Sequence, residues 1–360
     1  MSESNPLIKV RRRLGRTKRY LKRKLYERNI GKNYTAWLVQ ASEHTPGSVT
    51  FPTTISIVIP VYNPPIQFLT QCIESVVNQS ATNWQLVISN DGSTHPSVND
   101  YLTELAATNN PKITILNNEN GGISAAINAG LERATGEYFG MLDHDDALDV
   151  RCIEEFSKAI EQNNHPEAIY SDEDKINPGN QHSELYCKPD FSPELLLTQM
   201  YLCHFTIWKT QMVKEVNGLR SEMDGAQDFD LALRLLPQLA APQAHVVHLP
   251  LPLYHWRAWS ESTALTIEAK PWAQQAAARA QQDYLNTAFG GGTVEPSQVQ
   301  GLNEIHPIAR KTKVSVIIPT ALTLNVKTKK PYVFAAIETL KQQESDTDFE
   351  IIVVTTNEQP

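Results

Sequence analysis

Between residues 55 and 142 the chain alternates short β-branched runs with amphipathic stretches, and that rhythm leaves few folds open to it. Ile55-Ser56-Ile57-Val58-Ile59 is a nearly continuous apolar run stopped by Pro60, the pattern of a strand buried on both faces of a parallel sheet. Phe68, Leu69, Cys72, Ile73, Val76 and Val77 recur at three-to-four spacing and predict a helix over 65–79. The next strand is predicted over 84–89, ended by the turn residues Asn90-Asp91-Gly92-Ser93. A helix over 98–108, a strand over 113–116, a helix over 124–134 opened by Gly121-Gly122, and a strand over 138–142 follow. Repetition of strand and helix at roughly 25-residue spacing builds βαβ units, so an α/β fold with a doubly wound, mostly parallel central sheet is expected. Such sheets bind ligands at the carboxyl ends of their strands. Those ends here read Tyr62-Asn63, Asp91, Asn118 and Asp143/Asp145.

The 360 residues allow one large domain plus extras, and a hydrophobic share of 41% supplies a core. No run approaches the ~20 apolar residues of a membrane-spanning helix. The polar opening Met1–Val10 lacks the apolar centre of a secretory signal. Cys72, Cys152, Cys187 and Cys203 show no CxxC spacing, so they are expected to be reduced thiols of a cytoplasmic protein. The net charge of −8 hides a basic arm, Lys9–Arg28, with eleven Lys/Arg against the single acid Glu27. Leu14, Tyr20, Leu21 and Leu25 can form one stripe there. The arm reads either as an interfacial helix on an anionic membrane surface or as a solvated basic helix. A nucleic-acid partner is not expected, because the body lacks basic residues interleaved with aromatics.

The chain also repeats itself. Ile55-Ser56-Ile57-Val58-Ile59-Pro60 returns as Val314-Ser315-Val316-Ile317-Ile318-Pro319, and Trp84-Gln85-Leu86-Val87-Ile88 returns as Phe349-Glu350-Ile351-Ile352-Val353, with a similar helix between them. The expected organisation is therefore a basic arm (1–50), an α/β domain (51–265), a helical connector (266–312) and an incomplete start of a second similar domain (313–360). Thr355-Thr356 stands where the first copy has Asn90-Asp91, so the repeat carries no competent site.

Asp143-His144-Asp145-Asp146 leaves the fourth strand. Residues two apart on a strand point the same way, so Asp143 and Asp145 can face one ligand. Oxygen donors of this kind suit Mg²⁺ or Mn²⁺, which neutralise a diphosphate leaving group; an acidic surface loop is the bland alternative. Asp91 can be a turn residue or an acceptor for the N–H of a nucleotide base. No Gly-x-Gly-x-x-Gly follows the first strand and no P-loop is present, so neither phosphate-binding loop is available. Asp228 and Asp230 open a helical pattern; they can be acids favoured by the helix dipole, or one of them a base.

Ile57–Asn63, Asn90-Asp91-Gly92-Ser93, Asn118–Gly122 and Asp143–Asp146 together resemble family 2 glycosyltransferases of the GT-A fold, over about residues 53–264. Tyr170–Lys175, Lys188–Pro193 and Tyr254-His255-Trp256-Arg257 resemble, within that family, bacterial tandem-domain members that assemble O-antigen and other surface polysaccharides. The resemblance implies that Pro60, Tyr62, Asn63, Asp91, Gly121, Gly122 and Asp143 bind a nucleoside-diphosphate sugar. It implies Asp145 and His255 as ligands of Mn²⁺ or Mg²⁺, and Asp228 as catalytic base, with Gln227 where the family usually has Glu. Asp172, Asp174, Lys188 and Trp256 fall on the expected side of the acceptor, a glycan or lipid-linked saccharide. The expected reaction is an inverting sugar transfer at the cytoplasmic membrane face. A nucleotidyltransferase and a non-catalytic scaffold module of a polysaccharide assembly complex are the alternatives.

Overall fold

The structure, a computed structural model, describes residues 32–39, 45–259, 271–299, 302–308, 313–344 and 347–355. The basic arm Lys9–Arg28 lies outside the described residues. Contacts divide the chain into two units, Met1–Tyr284 with Val294–Ile305, and Leu285–Thr293 with His306–Pro360.

The first unit is built on a nine-stranded sheet. Its strands are β1 (Ile55–Val61), β2 (Trp84–Asn90), β3 (Ile113–Asn117), β4 (Tyr138–Met141), β5 (Ala147–Leu148), β6 (Ala168–Ile176), β7 (His182–Tyr186), β8 (Thr206–Lys209) and β9 (Val246–Arg257). They run in the order β3-β2-β1-β4-β8-β6-β9-β5, with β7 beside β6. Pairing is parallel from β3 to β4 and again between β6 and β9, and antiparallel at the other neighbours. The α/β expectation is met, and each element predicted up to residue 142 forms within a few residues of its expected bounds.

All seven residues of β1 are buried, as a strand covered on both faces requires. Alternation sends Ile55, Ile57, Ile59 and Val61 into one apolar layer, with helices Ile66–Val77 and Cys152–Gln162. Val58 enters the opposite layer, with helices Ile123–Arg133 and Gln227–Leu239. These two layers fix the sheet, and the sheet fixes where its loops emerge.

The expected helical connector contains one helix, Pro271–Phe289, followed by two short strands, Gly292–Pro296 and Asn303–Pro307. Gly290 and Gly291, both at positive φ, end the helix. In the second unit Val314–Thr320 pairs in parallel with Phe349–Thr355 across the helix Tyr332–Lys341. The seven-residue register, Val314↔Phe349 to Thr320↔Thr355, matches that of Ile55↔Trp84 to Val61↔Asn90. The internal repeat is thus a repeated β-α-β unit. Among the described residues no helix is long and apolar enough to cross a membrane.

The helix Ile123–Arg133 approaches β1 through Gly130, where an added Cβ would lie 2.4 Å from a Val58 methyl. Alanine would gain about 1 kcal/mol of helix propensity, but overpacking costs about 1–3 kcal/mol. Val58 is wholly buried and has little room to yield. Gly130→Ala should therefore lower the urea midpoint; a higher midpoint would show that this contact is not tight.

Candidate active site

The loops after β1, β2 and β3 are bound to one another. Asn63 adopts a left-handed φ of 46°, and its side-chain oxygen accepts from the N–H groups of Thr94 (2.7 Å) and His95 (3.0 Å). The Asn63 N–H donates to Ser93 Oγ at 3.1 Å. Asp91 is buried and accepts from the N–H groups of Gly121 (2.8 Å) and Gly122 (3.1 Å) and from the Asn120 amide (3.1 Å). Those glycines precede the helix Ile123–Arg133, whose N-terminus attracts an anion. Here that anion is Asp91 itself. Both N–H groups expected to be open toward a nucleotide are thus taken by the carboxylate expected to read its base. Gly122 has φ 88°, and a Cβ there would lie 2.7 Å from Asp224 Oδ2, so glycine is needed on both counts. Tyr62 is left 51% exposed beside these loops, free to cover a planar ligand.

The acidic run divides by function. Leu142 N–H still bonds to Val58 O at 3.0 Å, and Asp146 N–H closes a turn on Asp143 O. His144 Nδ1 lies 3.0 Å from Pro60 O, tying this loop to β1. Asp146 is buried and accepts from Tyr254 Oη and, at 2.7 Å, from Arg257 N–H. Burial pushes its carboxyl well up, and nearby Asp145 and Asp143 add to the effect. Asp143 and Asp145 remain partly exposed. Asp145 accepts from Trp259 Nε1 at 2.7 Å through its side chain and from Arg257 Nε at 2.6 Å through its carbonyl.

Asp228 lies in the first turn of the helix Gln227–Leu239. Burial raises its carboxyl above the usual range; the His204 imidazole opposes this, and Asp143 adds to it. These influences mark His204 and Asp143 as its electrostatic neighbours. Asp230, buried in the same turn, is paired with Arg220 and Arg234 and is structural. Gln227 caps the preceding turn, accepting from Gly225 N–H at 2.8 Å.

Strand alternation then sorts the remaining candidates onto two faces. On one face Tyr254 stacks on His204 at 4.7 Å between centroids, with Trp256 at 6.1 Å. Glu173 accepts from the His204 N–H there at 2.9 Å. On the other face His255 Nδ1 meets Asp174 at 2.6 Å, and His182 Nδ1 meets the same carboxylate at 2.9 Å. The structure thus brings His255 to Asp174 and His182, and not into a cluster with Asp145. Of the expected acceptor-side group, Asp172 binds His248 and the Lys188 N–H, both at 2.8 Å. Lys188 is buried against Glu173 at 3.0 Å, with the carbonyls of Leu202 and His204 as further acceptors. Asp172, Asp174 and Lys188 are therefore committed inside the fold, while Trp256 stays partly exposed near His204. His204, Asp224 and His182 were not singled out from the sequence. Glu173 lay unremarked between the two aspartates of its run.

In an open α/β sheet of this kind, ligands bind in the crevice outside the carboxyl ends of the strands, the edge at which these acidic loops lie. Residues 56–215 match the family described as Glycosyl transferase family 2, and the chain carries a domain of that family. A protein of Sinorhizobium fredii, the uncharacterized y4gI, is 36% identical over 305 residues, covering 83% of this chain and 32% of its own length. The O-antigen biosynthesis protein RfbC of Myxococcus xanthus is 29% identical over 336 residues, 90% of this chain and 25% of its own. A chondroitin synthase of Pasteurella multocida is 32% identical over 182 residues, 50% of this chain and 18% of its own. The chain spans about a third or less of the length of each of these relatives.

The Lys188–Glu173 pair is almost fully withdrawn from water. Removing one partner of such a pair strands the other and costs about 3–5 kcal/mol. Lys188→Met should destabilise the first unit by that order in urea unfolding; a change under about 1 kcal/mol would mean that the pair is solvated in the protein.

Proposed function

We propose that the domain transfers a sugar, with inversion, from a nucleoside-diphosphate sugar to a hydroxyl of a growing surface glycan. The observation that most supports this reading is the Asp228 carboxyl, raised by burial and electrostatically coupled to Asp143 at the end of β4, within a chain that carries a family 2 domain. A carboxylate with an elevated pKa is a better proton acceptor at neutral pH than an ordinary one. Asp228 takes the proton of the acceptor hydroxyl while that oxygen attacks the anomeric carbon. The carbon–oxygen bond to the diphosphate breaks on the opposite face, so one displacement inverts the centre.

Asp143 and Asp145, hard oxygen donors that are both partly exposed, fit Mn²⁺ or Mg²⁺. Such an ion supplies charge neutralisation to the departing diphosphate. Tyr62 covers the base, Asp91 and Asn63 hold the loops on which it lies, and Trp256 with His204 borders the acceptor. His255 is left out of this ion's shell, since its imidazole is engaged with Asp174. The O-antigen name of RfbC suggests a lipid-linked or polymeric saccharide as acceptor, with Lys9–Arg28 drawing the enzyme to an anionic membrane face. A nucleotidyltransferase reading gains no support, because the loop after β1 holds Asn63 against Thr94 and His95 and offers no glycine-rich basic cradle.

The test is donor hydrolysis, with water as acceptor, over UDP-, dTDP- and GDP-sugars. Asp228→Asn should lower turnover by about 100- to 10,000-fold while calorimetric donor affinity stays near wild type. In the wild type the rate should fall as pH drops through a value above the ordinary carboxylate range, because only ionised Asp228 accepts the proton. Near-normal turnover by Asp228→Asn, or an acid limb that persists unchanged in it, would remove Asp228 from the role.

A further inference from the structure

The face of β9 turned away from His204 carries an arrangement that sugar transfer does not use. Asp174, His182 and His255 each offer one ligand atom, and these atoms all lie within 4.8 Å of one another. Asp174 and His255 are direct partners across the parallel pairing of β6 with β9, and His182 opens β7 on the other side of β6. Three different strands therefore set the cluster. The Asp174 and His255 side chains are almost wholly withdrawn from water, and the imidazole of His182 is about a quarter exposed.

We propose that Asp174, His182 and His255 bind a divalent transition-metal cation of the zinc class, at a site separate from the ion expected on Asp143 and Asp145. The donor chemistry is that of such an ion, two imidazole nitrogens and one carboxylate. An ion about 2.0–2.2 Å from each ligand in tetrahedral geometry needs them about 3.4 Å apart. The separations of 2.6 Å and 2.9 Å from Asp174 to the two imidazoles reach that value with small side-chain adjustments.

Two further features fit a bound cation. The Tyr34 hydroxyl donates to Asp174, the kind of outer hydrogen bond that orients a metal-binding carboxylate. A cavity of about 410 Å³ adjoins the cluster, lined by His182, His255, Asp149, Gln71 and Arg257 among others. Arg257 Nη2 and Gln71 Oε1 are buried there without a hydrogen-bond partner. Buried polar groups are rarely left so. A water or small anion filling the ion's fourth position from the cavity supplies Arg257 with its missing acceptor, and a water also donates to Gln71. Three protein ligands with one open position is the common arrangement of a zinc ion that keeps an exchangeable ligand. Through Tyr34 the ion also bears on the helical segment 32–39, whose Trp37 ring lies 3.4 Å from the Arg151 guanidinium.

The proposal stands apart from the sugar-transfer reading, and its test needs no substrate. Full-length protein stripped with chelator is titrated with Co²⁺ and read by visible d–d absorption. Wild type and Asp145→Asn should each develop the tetrahedral spectrum with one equivalent, His182→Ala should not, and Tyr34→Phe should bind on the order of 10- to 100-fold more weakly. Because His182→Ala could disturb the fold, the wild type is also modified with diethyl pyrocarbonate, and the peptide carrying His182 is followed by mass spectrometry. Zn²⁺ should protect that imidazole and Mg²⁺ should not. Absence of the spectrum in wild type, its loss in Asp145→Asn with retention in His182→Ala, or labelling of His182 unaffected by Zn²⁺ would each overturn the site.

Discussion

The Asp146 carboxylate joins the two halves of the sheet at the point where the site is made. It receives the Tyr254 hydroxyl and the Arg257 N–H, so the loop that leaves β4 is fastened to β9, far away in sequence. Arg257 strengthens the same seam through its bond to the Asp145 carbonyl. Without this clasp Asp143 and Asp145 would sit on a loop free to move relative to the strand that carries Tyr254 and Trp256. A carboxylate this deep is tolerated because each oxygen has a donor. Its raised pKa records what remains of the burial cost once those hydrogen bonds are made.

The same economy of carboxylates runs through the first half of the site. Asp91 gives its charge to the helix N-terminus behind Gly121 and Gly122, and with Asn63 tying in the loop after β1 it makes three strand-end loops into one rigid edge. Rigidity there matters more than a direct contact from every polar group, because misplacement of a reacting atom by about 1 Å costs on the order of 100-fold in rate. Asp143, Asp145 and Tyr62 are left partly or largely exposed at the edge, and Asp228, in the first turn of its helix, has Asp143 as an electrostatic neighbour. The fold thereby separates groups that hold the edge from groups available to a ligand.

Much of this was legible in the sequence, and the failures have a common cause. The elements of residues 55–142 follow from hydrophobic period alone, since each is local and its buried face is continuous. The repeat of Ile55–Pro60 at Val314–Pro319 foretold the second β-α-β unit for the same reason. By contrast, in Asp143–Asp146 and again in Asp172–Asp174 the acids look alike on paper. Which one faces solvent, which one a histidine and which one a buried lysine depends on the pairing of β6 with β9. That pairing shifts register around Asp172, so simple alternation miscounts the faces. His255 stood beside Asp145 only as the resemblance implies, and its engagement with Asp174 is visible only once the strands are paired. His204 and Asp224 gave no signal at all: each owes its position to contacts with distant segments.

On the proposed function, one edge and one face of this sheet hold a nucleoside diphosphate through a metal on Asp143 and Asp145, while the opposite face of β9 serves another purpose. Calorimetric titration of UDP, dTDP and GDP with and without Mn²⁺ tests it most directly. One of them should bind only with the metal, Asp145→Asn should abolish the binding, and His182→Ala should leave it intact. Binding that ignores Mn²⁺, or that survives Asp145→Asn and fails in His182→Ala, would contradict it.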